Sequence, residues 1–177
     1  MRKIVFLIFL ILISTTLLFA RPTNGVAIGA QVSPMTTGLV ADFPLGPVSL
    51  GVGLSTSFIV NYIVEISEEI MDSVFPPYFI VSGNVTYPIA LGEHFDLKVG
   101  LGTMASTDFQ TGVMGTAGAV IKGEYWIPNS KFGLFAHIDL PFFAYSAHKE
   151  LGFTTLFDWS IPLLGLFTSA LGFYWVF

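Results

Sequence analysis

The most constraining feature of this sequence is a two-residue alternation that runs through long stretches with few charges. Between positions 48 and 58, large apolar residues occupy most even positions, and Gly or Ser occupies most odd positions. A period of two is typical of a β-strand, because successive side chains of a strand point to opposite faces. The alternation therefore predicts strands that have one apolar face and one face of small or polar residues.

The same alternation excludes the membrane helices that such an apolar chain would otherwise suggest. Between positions 95 and 102, Asp96 and Lys98 fall on the second face. In a membrane helix these two side chains would lie about 200° apart around the axis, so that at least one would face lipid. In a barrel strand both would point into the interior, and the strand interpretation is therefore favoured.

Composition agrees with a membrane protein built from strands. Apolar residues make up 53% of the chain and charged residues only 11%, which is too little charge to cover a soluble domain of this size. The 15% aromatic content excludes a disordered chain. The sequence has no cysteine, so it has neither a disulfide framework nor a thiolate metal site. The net charge of −5 argues against a nucleic-acid partner.

The first twenty residues resemble a secretory signal peptide in their layout. Arg2 and Lys3 precede a long apolar stretch that ends at the small residue Ala20. We predict a signal peptide over residues 1–20 and a mature domain over residues 21–177. Leu18 is larger than the small residue usual at its position, and an uncleaved membrane anchor is the alternative.

The mature chain divides into eight candidate strands, each with an apolar face. Alternating segments of about ten residues, separated by turn residues, are the mark of a transmembrane β-barrel. The predicted fold is all-β, an eight-stranded antiparallel up-and-down barrel. Its predicted strands are Gly25–Ser33, Gly38–Phe43, Val48–Val60, Tyr78–Tyr87, Phe95–Thr107, Gly115–Ile127, Phe132–Tyr145 and Leu163–Phe177.

Two connections are much longer than the others, Asn61–Pro77 and Ser146–Pro162. Outer-membrane barrels have short periplasmic turns and longer external loops, so both long connections are expected outside the cell. Asn61–Pro77 carries apolar residues at three- and four-residue steps with acidic residues between them, which predicts a short amphipathic helix on the barrel rim. A lid that binds a partner or a cation is the alternative.

The C-terminal strand carries the one family motif. Small outer-membrane barrels of diderm bacteria end with a strand that reads polar-x-Gly-x-x-aromatic-x-aromatic, and this chain is similar to them at Gly172, Trp175 and Phe177, whereas Ala170 departs from the polar position. The resemblance implies localisation in the bacterial outer membrane and recognition by the barrel assembly machinery, with membrane lipid as the surrounding partner.

The sequence shows no convincing catalytic, cofactor or metal site. The three histidines, His94, His137 and His148, lack the spacing of a metal site. Ser146, His148 and Glu150 would share one face of an extended segment, but no base within reach of the serine and no oxyanion stabiliser can be identified. We interpret this segment as a solvated loop and expect no enzymatic activity.

Six charged or titratable residues fall on the inward faces of three consecutive strands. They are Asp96, Lys98, Lys122, Glu124, His137 and Asp139. A hairpin centred on Thr111 places Lys98 opposite Glu124, and the next turn places Lys122 opposite His137, with Asp139 diagonal to Lys122. Opposite charges across a strand pair attract, so these residues predict a salt-bridge network that plugs the periplasmic half of the lumen. Polar residues that line a wet pore are the alternative.

These observations predict a small outer-membrane barrel with a structural or surface-interaction role. Eight strands leave an interior that is just wide enough for side chains, which argues against bulk solute passage. A narrow channel and a lipid-modifying barrel enzyme are the alternatives. The sequence leaves an external partner open.

Overall fold

The computed structural model describes residues 20–21, 25–57, 79–107, 112–149, 152–158 and 161–177. Ala20 and Arg21 are the described part of the region around the predicted signal-peptide boundary. The rest of the predicted signal peptide, the predicted amphipathic helix Asn61–Pro77 and the predicted hairpin centre Thr111 lie outside these ranges.

The described chain forms a closed antiparallel barrel of eight strands, which confirms the predicted fold class. The barrel follows chain order around its circumference and closes where the last strand pairs with both the first strand and the seventh. Its strands are β1 (Ala27–Val32), β2 (Thr36–Leu45), β3 (Val48–Ser57), β4 (Phe79–Ala90), β5 (Phe95–Thr107), β6 (Gly112–Trp126), β7 (Phe132–His148) and β9 (Ala170–Val176), while a further short strand, β8 (Gly152–Phe157), pairs with the outer half of β7.

Two tight connections lie at the end of the barrel that also holds both chain termini of the described domain. Gly46, with φ 65°, lies between β2 and β3, and Asn129, with φ 58°, lies between β6 and β7. Few residues other than Gly and Asn adopt this left-handed conformation without strain. We predict short turns on the side of the termini, and these two connections are short; the connection of residues 33–35 between β1 and β2, at the opposite end, is short as well.

The predicted last strand, Leu163–Phe177, is wrong in its first half. Residues Ile161–Thr168 form a short helix, α1, and the strand begins only at Ala170. Pro162 fits the first turn of a helix, where its missing N–H costs nothing. Leu163, Leu166 and Phe167 are exposed at helical spacing, a pattern that period-two analysis does not detect.

The predicted loop Ser146–Pro162 is also wrong in part. Ser146 and His148 belong to β7, which pairs with β8 over its last six residues. At Pro141 the register of β7 against β6 shifts, and Phe142 and Phe143 are both exposed, as at a β-bulge. Strand β7 pairs with β9 from Phe132 to His137, and beyond the irregularity, from Phe143 on, it pairs with β8 instead.

Helix α1 packs closely against β7 at this seam. A Cβ on Gly165 would collide with the carbonyl oxygen of Asp139, so only glycine allows this approach. The hydroxyl of Ser169 donates to the Gly165 carbonyl oxygen at 2.6 Å and accepts from the Asp139 amide at 3.3 Å. These bonds connect the helix end to β7.

Within the described ranges, no helix has both the length and the apolar character needed to cross a membrane.

The two faces of the barrel wall are inverted relative to a soluble protein. Apolar side chains on the outside are well exposed, among them Leu101 at 70%, Leu39 at 66% and Leu171 at 64%. Six charged residues are instead buried inside the barrel. Soluble domains bury their large apolar side chains and expose their charges. The outward apolar faces predicted from the alternation are therefore the exposed faces of the barrel.

Candidate functional site

The half of the lumen nearer the chain termini, which we call the inner lumen, holds a cluster of six buried charged residues. Three are basic and three are acidic. None of them is more than 9% exposed. We call this set the lumenal cluster; its members are Arg21, Asp42, Asp96, Lys98, Lys122 and Glu124. Equal numbers of opposite charges allow the cluster to be buried without a net charge, which is the condition under which ionised groups are found in a protein interior.

Asp42 is the centre of the cluster. Its carboxylate lies 2.9 Å from Lys98 Nζ, 3.2 Å from Lys122 Nζ and 3.1 Å from Arg21 Nη1. The Ser49 hydroxyl donates to the same carboxylate at 2.9 Å. Strand β2 directs Asp42 inward between the outward side chains of its two neighbours, because successive residues of a strand alternate between faces.

Glu124 connects the two lysines from the other side. Its Oε1 lies 3.0 Å from Lys98 Nζ and 3.3 Å from Lys122 Nζ. Lys98 and Lys122 face each other directly across β5 and β6. Like charges in this position repel, so the carboxylates of Asp42 and Glu124 are what allow two buried lysines to lie opposite each other.

The predicted pairing of Lys98 with Glu124 as direct cross-strand neighbours is wrong. Asp96 faces Glu124, and Lys98 faces Lys122, so the register of β5 against β6 differs from the predicted one by two residues. A shift of two preserves which face each side chain occupies, and the alternation of the sequence cannot distinguish the two registers. Lys98 still contacts Glu124, but along the diagonal.

The other predicted contacts of the network involve β6 and β7. Lys122 does face His137 across β6 and β7, as predicted. Asp139 faces Val120, and its Oδ2 lies 3.4 Å from His137 Nε2; the contact is with His137 rather than with Lys122. The side chains of His137 and Asp139 are 15% and 22% exposed, so this pair lies apart from the lumenal cluster on a more open part of the wall.

Two members of the cluster, Asp42 and Arg21, are absent from the predicted network. Asp42 has a signal in the sequence, because it lies on the inward face of β2 between Ala41 and Phe43. Arg21 has no such signal, since it lies outside any alternating segment. Only the folded chain brings Arg21 to the carboxylate of Asp42.

An aromatic layer packs beside the charges. The ring of Tyr174 stacks on Phe135, with centroids 4.4 Å apart, and on Trp126, with centroids 6.3 Å apart. Lys122 Nζ donates to the Tyr174 hydroxyl at 3.1 Å and lies 5.3 Å from the centre of the same ring. These inward aromatic rings fill the space that the ion pairs leave, so the inner half of the lumen is filled with side chains.

The outer half of the lumen is different, because it contains a cavity of about 50 Å³. Its wall includes Gln31, Asn84 and Thr103 together with His137 and Asp139. A water molecule needs roughly 10–15 Å³ of such space, so the cavity has room for a few waters.

Among the described residues, no three His, Asp or Glu side chains are grouped so that they could hold a metal ion.

The residues of the C-terminal motif lie at the closing seam of the barrel. Trp175 points outward, 49% exposed, between Ile28 of β1 and Phe132 of β7. The Phe177 amide donates to the Val26 carbonyl oxygen at 3.0 Å, and its side chain is exposed. A Cβ on Gly172 would collide with the carbonyl oxygen of Ala30 and the ring of Phe135. Gly172 therefore allows β9 to pack at this seam.

Comparisons with protein-family models, with curated proteins and with solved structures find no match for this chain.

Proposed function

We propose that this protein is an outer-membrane β-barrel with a structural or surface-interaction role, and that its inner lumen is closed by the lumenal cluster. The observation that carries the proposal is the inverted wall, with apolar side chains outside and six balanced charges inside. An exposed apolar belt of this extent needs an apolar solvent, because soluble monomers rarely expose large contiguous apolar patches. A lipid bilayer provides such a solvent.

The filled inner lumen supports a structural role over transport. A solute that crosses the barrel would have to separate Asp42 from its three cations. Each of these groups would then be left as an uncompensated buried charge. The outer cavity has room for a few waters, and its wall includes Lys122 of the lumenal cluster. We therefore propose a barrel that anchors or presents its external connections, and we propose no catalytic step.

Cell fractionation tests this proposal. We expect the protein, produced from the full chain in a diderm bacterium, to be recovered with the outer membrane. We also expect its electrophoretic mobility to change on boiling, because a closed barrel resists unfolding by detergent at room temperature. Recovery in the inner membrane together with a helical circular dichroism spectrum would refute the proposal.

The C-terminal motif makes a separate prediction about assembly. Deletion of Phe177, or the double change Trp175→Ser and Phe177→Ser, should remove most of the folded protein from the outer membrane while export continues. The reason is that the resemblance to outer-membrane barrels implies recognition of this terminal strand by the assembly machinery. Immunoblots of unboiled outer-membrane fractions measure the folded form.

Phe153 provides a matched control for this experiment. It is an aromatic residue of β8 that is 69% exposed, against 68% for Phe177, but it lies away from the terminal strand. Phe153→Ser should leave the amount of folded protein largely unchanged. Equal losses in the two variants would mean that exposed aromatic surface matters in general, and that the terminal motif has no special role.

A further inference from the structure

Arg21 lies in the mouth of the barrel, at the end that holds the chain termini. It precedes β1 in the sequence. It is 9% exposed, and its neighbour Ala20 is 8% exposed. In the full chain the Ala20 amide donates to Asp96 Oδ1 at 3.0 Å. Ala20 ends the predicted signal peptide and Arg21 begins the predicted mature domain, so cleavage would remove this bond and retain the arginine side chain. Arg21, which precedes β1 by several positions, is buried against Asp42 of β2 and Trp126 of β6.

Three features of the surroundings match a guanidinium group. Nη1 lies 3.1 Å from Asp42 Oδ1, and Nη2 donates to the Asp42 carbonyl oxygen at 3.3 Å. The guanidinium carbon lies 5.4 Å from the ring centre of Trp126. A planar cation with several donors satisfies two acceptors and one aromatic face at the same time, which a compact ammonium group cannot do equally well.

Arg21 also completes the charge balance of the interior. Without it the lumenal cluster would hold two basic residues, Lys98 and Lys122, against three acidic ones. An unbalanced anion in the barrel interior is costly. The sequence contains two arginines in total, Arg2 and Arg21, and the second lies directly after the predicted signal peptide.

We propose that the mouth of the barrel contains a guanidinium-binding site formed by Asp42 and Trp126, and that Arg21 is its tethered occupant. The Arg21 side chain thereby acts as a plug. Its cation neutralises the interior and closes the lumen on the side of the chain termini. This inference concerns the folded barrel alone, so its test is independent of the membrane in which the barrel resides.

Chemical rescue tests the site. In the full chain refolded in detergent, Arg21→Ala should lower the midpoint of thermal unfolding by roughly 5–10 °C, because one buried ion pair is lost while Asp42 keeps both lysines. Methylguanidinium chloride at about 20 mM, far below the molar range in which guanidinium unfolds proteins, should restore about half of that shift. Sodium chloride at the same concentration should restore none of it.

Two controls make the result specific. Lys131→Ala removes an exposed cation from the turn between β6 and β7, and methylguanidinium should not change its unfolding midpoint or that of the unmodified protein. Arg21→Lys keeps the charge but loses the planar group, so we expect its unfolding midpoint to lie between those of Arg21→Ala and the unmodified protein. The proposal is overturned if Arg21→Ala is as stable as the unmodified protein, or if methylguanidinium and sodium chloride have the same effect.

A second measurement applies even if Arg21→Ala does not fold. Phenylglyoxal modifies accessible arginine side chains, and peptide mass spectrometry can follow Arg21 separately from Arg2. In the unmodified sequence we expect Arg21 to react at least about tenfold more slowly in the folded barrel than in urea, because a buried group reacts only when the structure opens. Equal rates in the two conditions would show that Arg21 is not docked, and the site would be rejected.

Discussion

Asp42→Asn should be the most damaging single substitution in the barrel, with a loss of about 3–5 kcal/mol in the free energy of unfolding. Asparagine has nearly the same shape as aspartate, but it loses the negative charge and replaces one of two accepting oxygens with an NH2 group that can only donate. Three buried cations lie within 3.2 Å of this carboxylate and would lose their common partner. Urea unfolding of the detergent-refolded full chain measures the loss.

Asp139→Asn is the matched control for this prediction. Asp139 contacts one basic group, His137, whereas Asp42 contacts three; the side chain of Asp139 is 22% exposed and that of Asp42 is 0% exposed. Partly solvated ion pairs contribute at most about 1 kcal/mol. If Asp42→Asn costs no more than Asp139→Asn, water screens the lumenal cluster and the wet pore becomes the better description.

Lys98→Met has the second largest expected effect. Lys98 Nζ contacts Asp42 and Glu124 at 2.9 and 3.0 Å and donates to the Ser49 hydroxyl at 3.2 Å. Methionine preserves most of the side-chain volume but leaves an excess negative charge in the interior, so we expect a loss of roughly 3–5 kcal/mol. Lys131→Met, which removes an exposed turn lysine, should cost at most about 1 kcal/mol.

The double variant with both Asp42→Asn and Lys98→Met separates charge balance from packing. Together the two changes leave two cations and two anions inside the barrel. The combined loss should therefore be smaller than the sum of the single losses, by about 0.5–3 kcal/mol, as for residues that share a contact. Strict additivity in urea unfolding would mean that the two residues act independently and that the cluster is not a network.

The amino-acid sequence by itself determines the fold class, because a period of two assigns a face to every side chain of a strand. Alternation from Phe95 to Thr107 predicts both ends of β5 correctly. It also predicts the inward orientation of Lys98, Lys122 and Glu124, since the face of a residue depends only on its parity within the strand. Eight such segments are enough to close a barrel around them.

The contacts between these inward residues are decided by the tertiary structure. A two-residue shift between β5 and β6 leaves every face unchanged, so no local pattern distinguishes Lys98 opposite Glu124 from Lys98 opposite Lys122. Asp42 reaches the lysines across the lumen, from the opposite wall of the closed barrel, and strand periodicity carries no information about that distance.

The seam and the plug likewise depend on the closed barrel. Residues 161–168 are apolar enough for either a strand or a helix, and the helix forms where β7 turns away to pair with β8. Arg21 has no periodic neighbours, and its position follows from the unbalanced carboxylates that the barrel encloses. The sequence alone determined the faces of the strands because alternation is local, whereas only closure decided the pairing of the charges, since each partner lies on a different strand.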